Sequence, residues 1–368
     1  MGIPVYVDFS WLILFGFVIF VLAHDVYPDA LPRETDRTHL ILAGISSIIF
    51  FASIILHELA HSVVAKFYKI PVRSITLFLF GGVAQITRDA TKPLSELLMA
   101  AAGPLTSLLI GGLFIGSWWL FNMDVDSPIG FLFIWAGGTN IVLGIFNLIP
   151  AFPMDGGRVF RAVTWMVTKN YYRATRIAGW TGRGFAWAVI AVGVLALLGV
   201  NTRVVGTPFQ GAWFIFIGFY LENAARQGLL QNRLIETLTK YRARDLMIAD
   251  PPVVDSGMSV GSLARGVLEL NPRVCYFIEE HGALAGILSA YQMRAIPEAL
   301  WDTTTAGQAM LPTARLKPVS PDRQANEVLV EMESGDLTHL PVVSEGRVLG
   351  VIGRDRILTV LQKAGILA

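Results

Sequence analysis

Cysteine is nearly absent: Cys275 is the single one in 368 residues, so a disulfide framework and a thiolate metal cluster are both excluded. Charge is scarce too. Asp, Glu, Lys and Arg make up 15% of the chain, far below the ~25% of soluble domains, and the mean hydropathy is +0.56. The formal net charge of +1 gives no support to nucleic-acid binding. Residues 1–10 lack the basic run of a cleaved signal peptide, so the first apolar run is expected to be retained.

The scarcity of charge is uneven. Up to residue 222 the chain is a series of long apolar runs, and beyond it charges return at ordinary density. This divides a membrane half from a soluble half. Six membrane-crossing segments are expected at roughly 9–23, 40–66, 95–121, 129–149, 180–200 and 207–222, the first and last being short for a full span. The loops alternate in sign. Acids dominate 24–39 and 122–128, whereas basic residues dominate 66–93 and 155–183. That alternation predicts both termini on the cytoplasmic side.

Positions 40–56 carry no charge, and immediately after them stands His57-Glu58-Leu59-Ala60-His61. On a helix, a spacing of four puts both imidazoles on one face, one turn apart, where they can bind the same metal ion. Glu58 can reach a water held there, which makes this the H-E-x-x-H arrangement of zinc hydrolases. A helix can carry the pattern without metal. Within a membrane span, however, ionisable groups are costly and mark function by default.

A catalytic zinc takes three protein ligands and leaves one position open. The third candidate is Asp155, the only acid between Asp126 and Glu222. It follows Pro150 and Pro153, which end an apolar span, and precedes Gly156-Gly157, which permits a sharp reversal. The alternative is that Asp155 caps the segment after it. His24, His39, His281 and His339 are expected to be solvated or hydrogen-bonded rather than ligands. Residues 75–86 read as two β-prone runs broken by Gly81-Gly82, which predicts a hairpin offering an edge strand to an extended peptide. The alternative is a connector on the membrane surface. Gly103, Ser107, Gly111 and Gly112 suit close helix packing.

His57-Glu58-x-x-His61 in one apolar segment and Asn147-x-x-Pro150-x-x-Pro153-Met154-Asp155-Gly156 at the end of a later one resemble the site-2 protease family of intramembrane zinc metalloproteases. The Phe80-Gly81-Gly82 and Ala102-Gly103-Pro104 stretches are similar to that family's core as well. Met154 stands where the family more often has leucine. The resemblance implies one zinc ion on His57, His61 and Asp155, with Glu58 as catalytic acid/base. It further implies Asn147 near the substrate or the oxyanion, and substrate contacts at Phe80, Gly81 and Gly82.

The soluble half repeats itself. Leu284-Ala285-Gly286-Ile287-Leu288-Ser289 recurs as Val348-Leu349-Gly350-Val351-Ile352-Gly353, and Arg244-Asp245-Leu246-Met247 recurs loosely as Gly307-Gln308-Ala309-Met310. This is an internal duplication, and it resembles a pair of CBS domains, a module that often binds adenine nucleotides between its halves. The nucleotide-binding pattern of Ser or Thr followed three residues on by an acid is broken: Ser289 is followed by Gln292, and Gly353 by Arg356. Nucleotide binding and an empty-groove docking or dimerisation module both stay open.

The expected fold is therefore an α-helical polytopic membrane protein of about six transmembrane helices, with a membrane-associated β-hairpin and a cytosolic α/β CBS-domain pair. Its divisions are a metalloprotease domain at 1–222, a charged helical linker at 223–240, and CBS domains at 241–300 and 301–368. The expected function is a zinc endopeptidase cutting a transmembrane substrate within the bilayer near the cytoplasmic face, regulated by its tail, with a homodimer through the CBS domains as the expected assembly. The alternatives are a CBS-regulated transporter or channel, or an inactive protease-like scaffold.

Overall fold

Apolar length decides the first half of the chain. In the computed structural model, which describes residues 3–78, 81–86, 90–200, 207–249, 251–265, 275–281, 283–345 and 347–366, the chain divides into two units, Met1–Leu229 and Leu230–Ala368. The first unit opens with β1 (Val5–Val7), α1 (Phe9–Val21), a π-helical turn and α2 (Tyr27–Ala30). It continues with α3 (Asp36–Phe67), β2 (Val72–Phe78), β3 (Gly81–Ile86), α4 (Pro93–Leu120), α5 (Pro128–Asn147), α6 (Asp155–Thr168), α7 (Tyr171–Leu197) and the start of α8 (Pro208–Leu238).

Among the described residues five helices are long and apolar enough to cross a membrane: Phe9–Ala30, α3, α4, α5 and α7. The sixth expected span, 207–222, is not a separate element. Its apolar residues form the front of α8, which runs on through Glu222 and a polar second half as one helix of 31 residues. The helix outlasts the apolar segment because its continuity is set by backbone hydrogen bonding and not by where apolarity stops.

Local chemistry places the helix ends. Thr35 accepts from Thr38 N–H at the start of α3, and Ser127 accepts from Gly130 N–H ahead of Pro128 in α5. Lys169, in the left-handed region at φ 52°, ends α6, and Asn170 at once caps α7. His24 bonds the Phe20 carbonyl and His39 that of Leu31, as expected for structural histidines.

The hairpin is present, and it is larger than the sequence suggests. β2 pairs antiparallel with β3, and β1 adds to β2 in parallel, giving a three-stranded sheet of order β1-β2-β3. Gly81 and Gly82 are not the turn: they open β3, opposite Phe78 and Leu77. Phe80 lies outside the described residues.

The second unit holds α9 (Ala243–Leu246), β4 (Ile248–Ala249), β5 (Val253–Asp255), α10 (Val260–Ala264), β6 (Cys275–Glu280), β7 (Ala283–Ser289) and α11 (Ala290–Arg294). These are followed by α12 (Ala306–Ala309), β8 (Leu311–Pro312), α13 (Ala325–Ser334), β9 (His339–Ser344), β10 (Arg347–Gly353) and α14 (Arg354–Lys363). The hairpins β6-β7 and β9-β10 are each followed by a helix, and even the positive-φ turn residues His281 and Glu345 correspond. The duplication is thus structural. The halves also trade strands: β4 pairs with β10, while β8 pairs with β7. Cys275, Phe277 and Ile287 from one sheet pack with Val351 from the other, so apolar burial ties the halves into one core.

Candidate metal centre

The chemistry of the first unit gathers on α3. His57 and His61 lie one turn apart with ring centroids 4.9 Å from each other, and both are buried. Asp155 arrives from the first residue of α6, and its Oδ2 stands 3.1 Å from His57 Nε2 and 3.0 Å from His61 Nε2. The side chain of Asp155 does not cap α6. The residue before the helix is Met154, which makes no side-chain cap. One donor atom from each of the three residues falls within 4.8 Å of the others.

Both rings are held from behind by α4. His57 Nδ1 is 2.9 Å from Ser107 Oγ, and His61 Nδ1 is 2.7 Å from the Met99 carbonyl. A carbonyl only accepts, so Nδ1 of His61 carries the hydrogen and the neutral ring presents the Nε2 lone pair to Asp155. A lone pair and a carboxylate oxygen at 3.0 Å repel unless a cation or proton lies between them. Two imidazole nitrogens and one carboxylate, each backed by an outer hydrogen bond or a helix, match the kind of donor set that a catalytic zinc takes and could hold a metal ion.

The space in front of the donors is kept by glycine. A Cβ on Gly103 would sit 2.2 Å from His61 Nε2 and 2.5 Å from His57 Nε2. On the other side, a Cβ on Gly82 would come 2.7 Å from Glu58 Cγ. The β3 backbone therefore runs directly against Glu58, which is why a glycine opens that strand. Glu58 is half-buried. Asn147 is the last residue of α5, and its Nδ2 donates to the Leu143 carbonyl at 3.0 Å. That bond ties it to its own helix, directly before the 148–154 loop.

Sequence reasoning assigns Ser107 and Gly103 to helix packing; here they also orient and clear the site. Met99 acts through its backbone, which no side-chain pattern reveals. The spacing of Gly103 and Ser107, four residues apart on one face of α4, is the signal that was available.

The model of peptidase family M50 matches residues 45–124 and 122–191, and that of the CBS domain matches residues 307–363, within the second of the two repeats. A Synechocystis protein named as a candidate zinc metalloprotease, sll0528, is 31% identical over 98% of this chain and 93% of its own length. Zinc metalloprotease MJ0392 of Methanocaldococcus jannaschii is 28% identical over 97% of this chain and 93% of its own. The solved site-2 protease of Methanocaldococcus jannaschii matches at 29% identity with a TM-score of 0.43, over 62% of this chain and 92% of that one. With identity of this level along nearly the whole of both chains, and with the M50 match laid across the helices that carry the histidines and Asp155, this chain belongs to peptidase family M50, the site-2 proteases, as a membrane-embedded zinc metalloprotease with a CBS domain.

Proposed function

We propose that His57, His61 and Asp155 hold the zinc ion, that Glu58 is the catalytic acid/base, and that the substrate is a transmembrane protein cut near the cytoplasmic face. The observation that carries this reading is the approach of Asp155 Oδ2 to both Nε2 atoms, at 3.1 and 3.0 Å. When bound, zinc supplies Lewis acidity, polarising a scissile carbonyl and acidifying water from a pKa of ~15.7 towards ~7.

The chain's own residues do the rest. Glu58 takes the proton of the attacking water on its carboxylate and returns it to the leaving amine nitrogen. A helical substrate hides its amides, so it must be unwound locally before attack. β3 is the end strand of its sheet and lies against Glu58. An unwound segment pairing along Gly81 and Gly82, with Phe80 as a further substrate contact, satisfies its freed backbone groups beside the site. Asn147 Nδ2 has a second hydrogen beyond the one given to Leu143, and that hydrogen is available to the substrate backbone or the oxyanion.

The charge alternation of the loops supports a topology with both termini and the CBS unit in the cytoplasm. We assign the protease to 1–222, the linker to 223–240 and the CBS halves to 241–300 and 301–368. The CBS unit is proposed to regulate cleavage as a docking or homodimerisation module. Ser289 is spent on a local cap, its hydroxyl donating to Gln292 Oε1 at 2.9 Å, and Gly353 offers no hydroxyl in the second half. An adenine nucleotide is the competing ligand, and calorimetry with ATP decides between the two.

The test of the protease reading compares the full chain with Glu58→Gln on a model transmembrane substrate while zinc is measured. Zinc is expected to stay and cleavage to disappear. Equal cleavage by both proteins removes Glu58 from the mechanism.

A further inference from the structure

One buried ion pair lies outside the chemistry described so far. Glu96, on the first turn of α4, is 1% exposed, and it receives both Nε (2.6 Å) and Nη2 of Arg161, on α6, at its Oε1. The Arg161 guanidinium also lies over the rings of Phe152, at 5.3 Å, and Tyr171, at 5.0 Å. Phe152 belongs to the loop that delivers Asp155, and its backbone nitrogen would stand 2.8 Å from a Cβ on Gly182 of α7. One guanidinium thus touches α4, the delivering loop and the start of α7.

Replacing a buried ion pair with apolar residues often leaves stability unchanged or raised, so such a pair is poor evidence for a stabilising role and better evidence for a fixed arrangement. The arrangement fixed here is informative. Met99, whose carbonyl orients His61, is three residues from Glu96 and so adjacent on the same helix. Ser107, which orients His57, lies further along α4. Both histidines are therefore referenced to α4. Asp155 is the first residue of α6, so its position follows that helix, and Arg161 is where α6 is pinned to α4.

We propose that Glu96 and Arg161 are positioning residues for the metal site: through α4 they place the Asp155 carboxylate in the same frame as the two imidazoles. The inference rests on the reading of Asp155 as a ligand.

The test uses the full-length chain in detergent and measures zinc affinity by chelator competition, melting temperature with the metal removed, and kcat and KM on a model transmembrane substrate. The variants are Glu96→Leu/Arg161→Met, which replaces the pair with apolar bulk, Arg161→Lys, which keeps charge but loses the fork and the stacking, and Asp155→Asn as reference. The double variant is expected to melt near the wild-type temperature, bind zinc at least tenfold more weakly and lose kcat with little change in KM. Wild-type zinc affinity and kcat in a double variant that folds overturn the proposal. If it does not fold, Arg161→Lys decides: weakened zinc binding supports the clamp and unchanged binding overturns it. Asp155→Asn is expected to lose zinc by itself; retention at wild-type affinity sinks the ligand reading instead, which keeps the two failures distinguishable.

Discussion

Gly103 faces His61 so closely that a single methyl group on it would lie 2.2 Å from the imidazole Nε2. Helix propensity favours alanine over glycine by ~1 kcal/mol in a helix interior, so on local grounds Gly103→Ala should stabilise α4. At the site it blocks the position in front of both rings. The variant is expected to fold and to bind zinc about 100-fold more weakly, the upper end of what losing support around ligands costs. Metal analysis beside circular dichroism checks this, and a helical Gly103→Ala protein with full zinc content contradicts it.

Ser107→Ala removes the partner of His57 Nδ1 without adding volume. Its hydroxyl is buried and 2.9 Å from that nitrogen. Loss of such an outer partner typically weakens metal binding by about 10- to 100-fold, or ~1.4–2.7 kcal/mol. Chelator competition reads the change directly. An unaltered affinity shows that the ring is oriented without the serine.

Cys275 gives a test of the second unit alone. Burial, with Asp355 nearby, pushes its thiol from an ordinary value of 9.0 up to about 12. At pH 8 the thiolate fraction is then about one in ten thousand, and thiolate is the reactive form. A thiol reagent should label the native chain very slowly and the denatured chain at once. The sign for stability follows from linkage. Above pH 9 the unfolded chain releases a proton that the folded one keeps, so this thiol lowers stability as pH rises from about 9 towards 12. Rapid native labelling at pH 8 contradicts the burial.

How much of this was legible before folding differs by residue. His57, Glu58 and His61 are readable because their relation is local, fixed by the pitch of one helix. The repeat around Gly286 and Gly350 is readable because it recurs at a fixed offset. Asp155 is readable only in part: its proline and glycine neighbours mark a break, while the turn chemistry that aims it at α3 does not show in the residue types. Met99 and Arg161 are not readable, since their partners depend on the register in which α4 packs against α3 and α6. β1 escapes for the same reason, being three residues that pair with a strand 70 positions later. The end of the sixth apolar segment is not readable as a helix end, because α8 runs on past its apolarity.

His57 and Asp155 are 98 residues apart in the chain, with α4 and α5 between them. A growing polypeptide that has already placed both imidazoles still lacks the proposed third donor until two further helices and the loop after them have been synthesised. On the proposed ligand set, the helix that carries both histidines and the hairpin after it are made before the centre can form, whereas the whole second unit is made after its last donor.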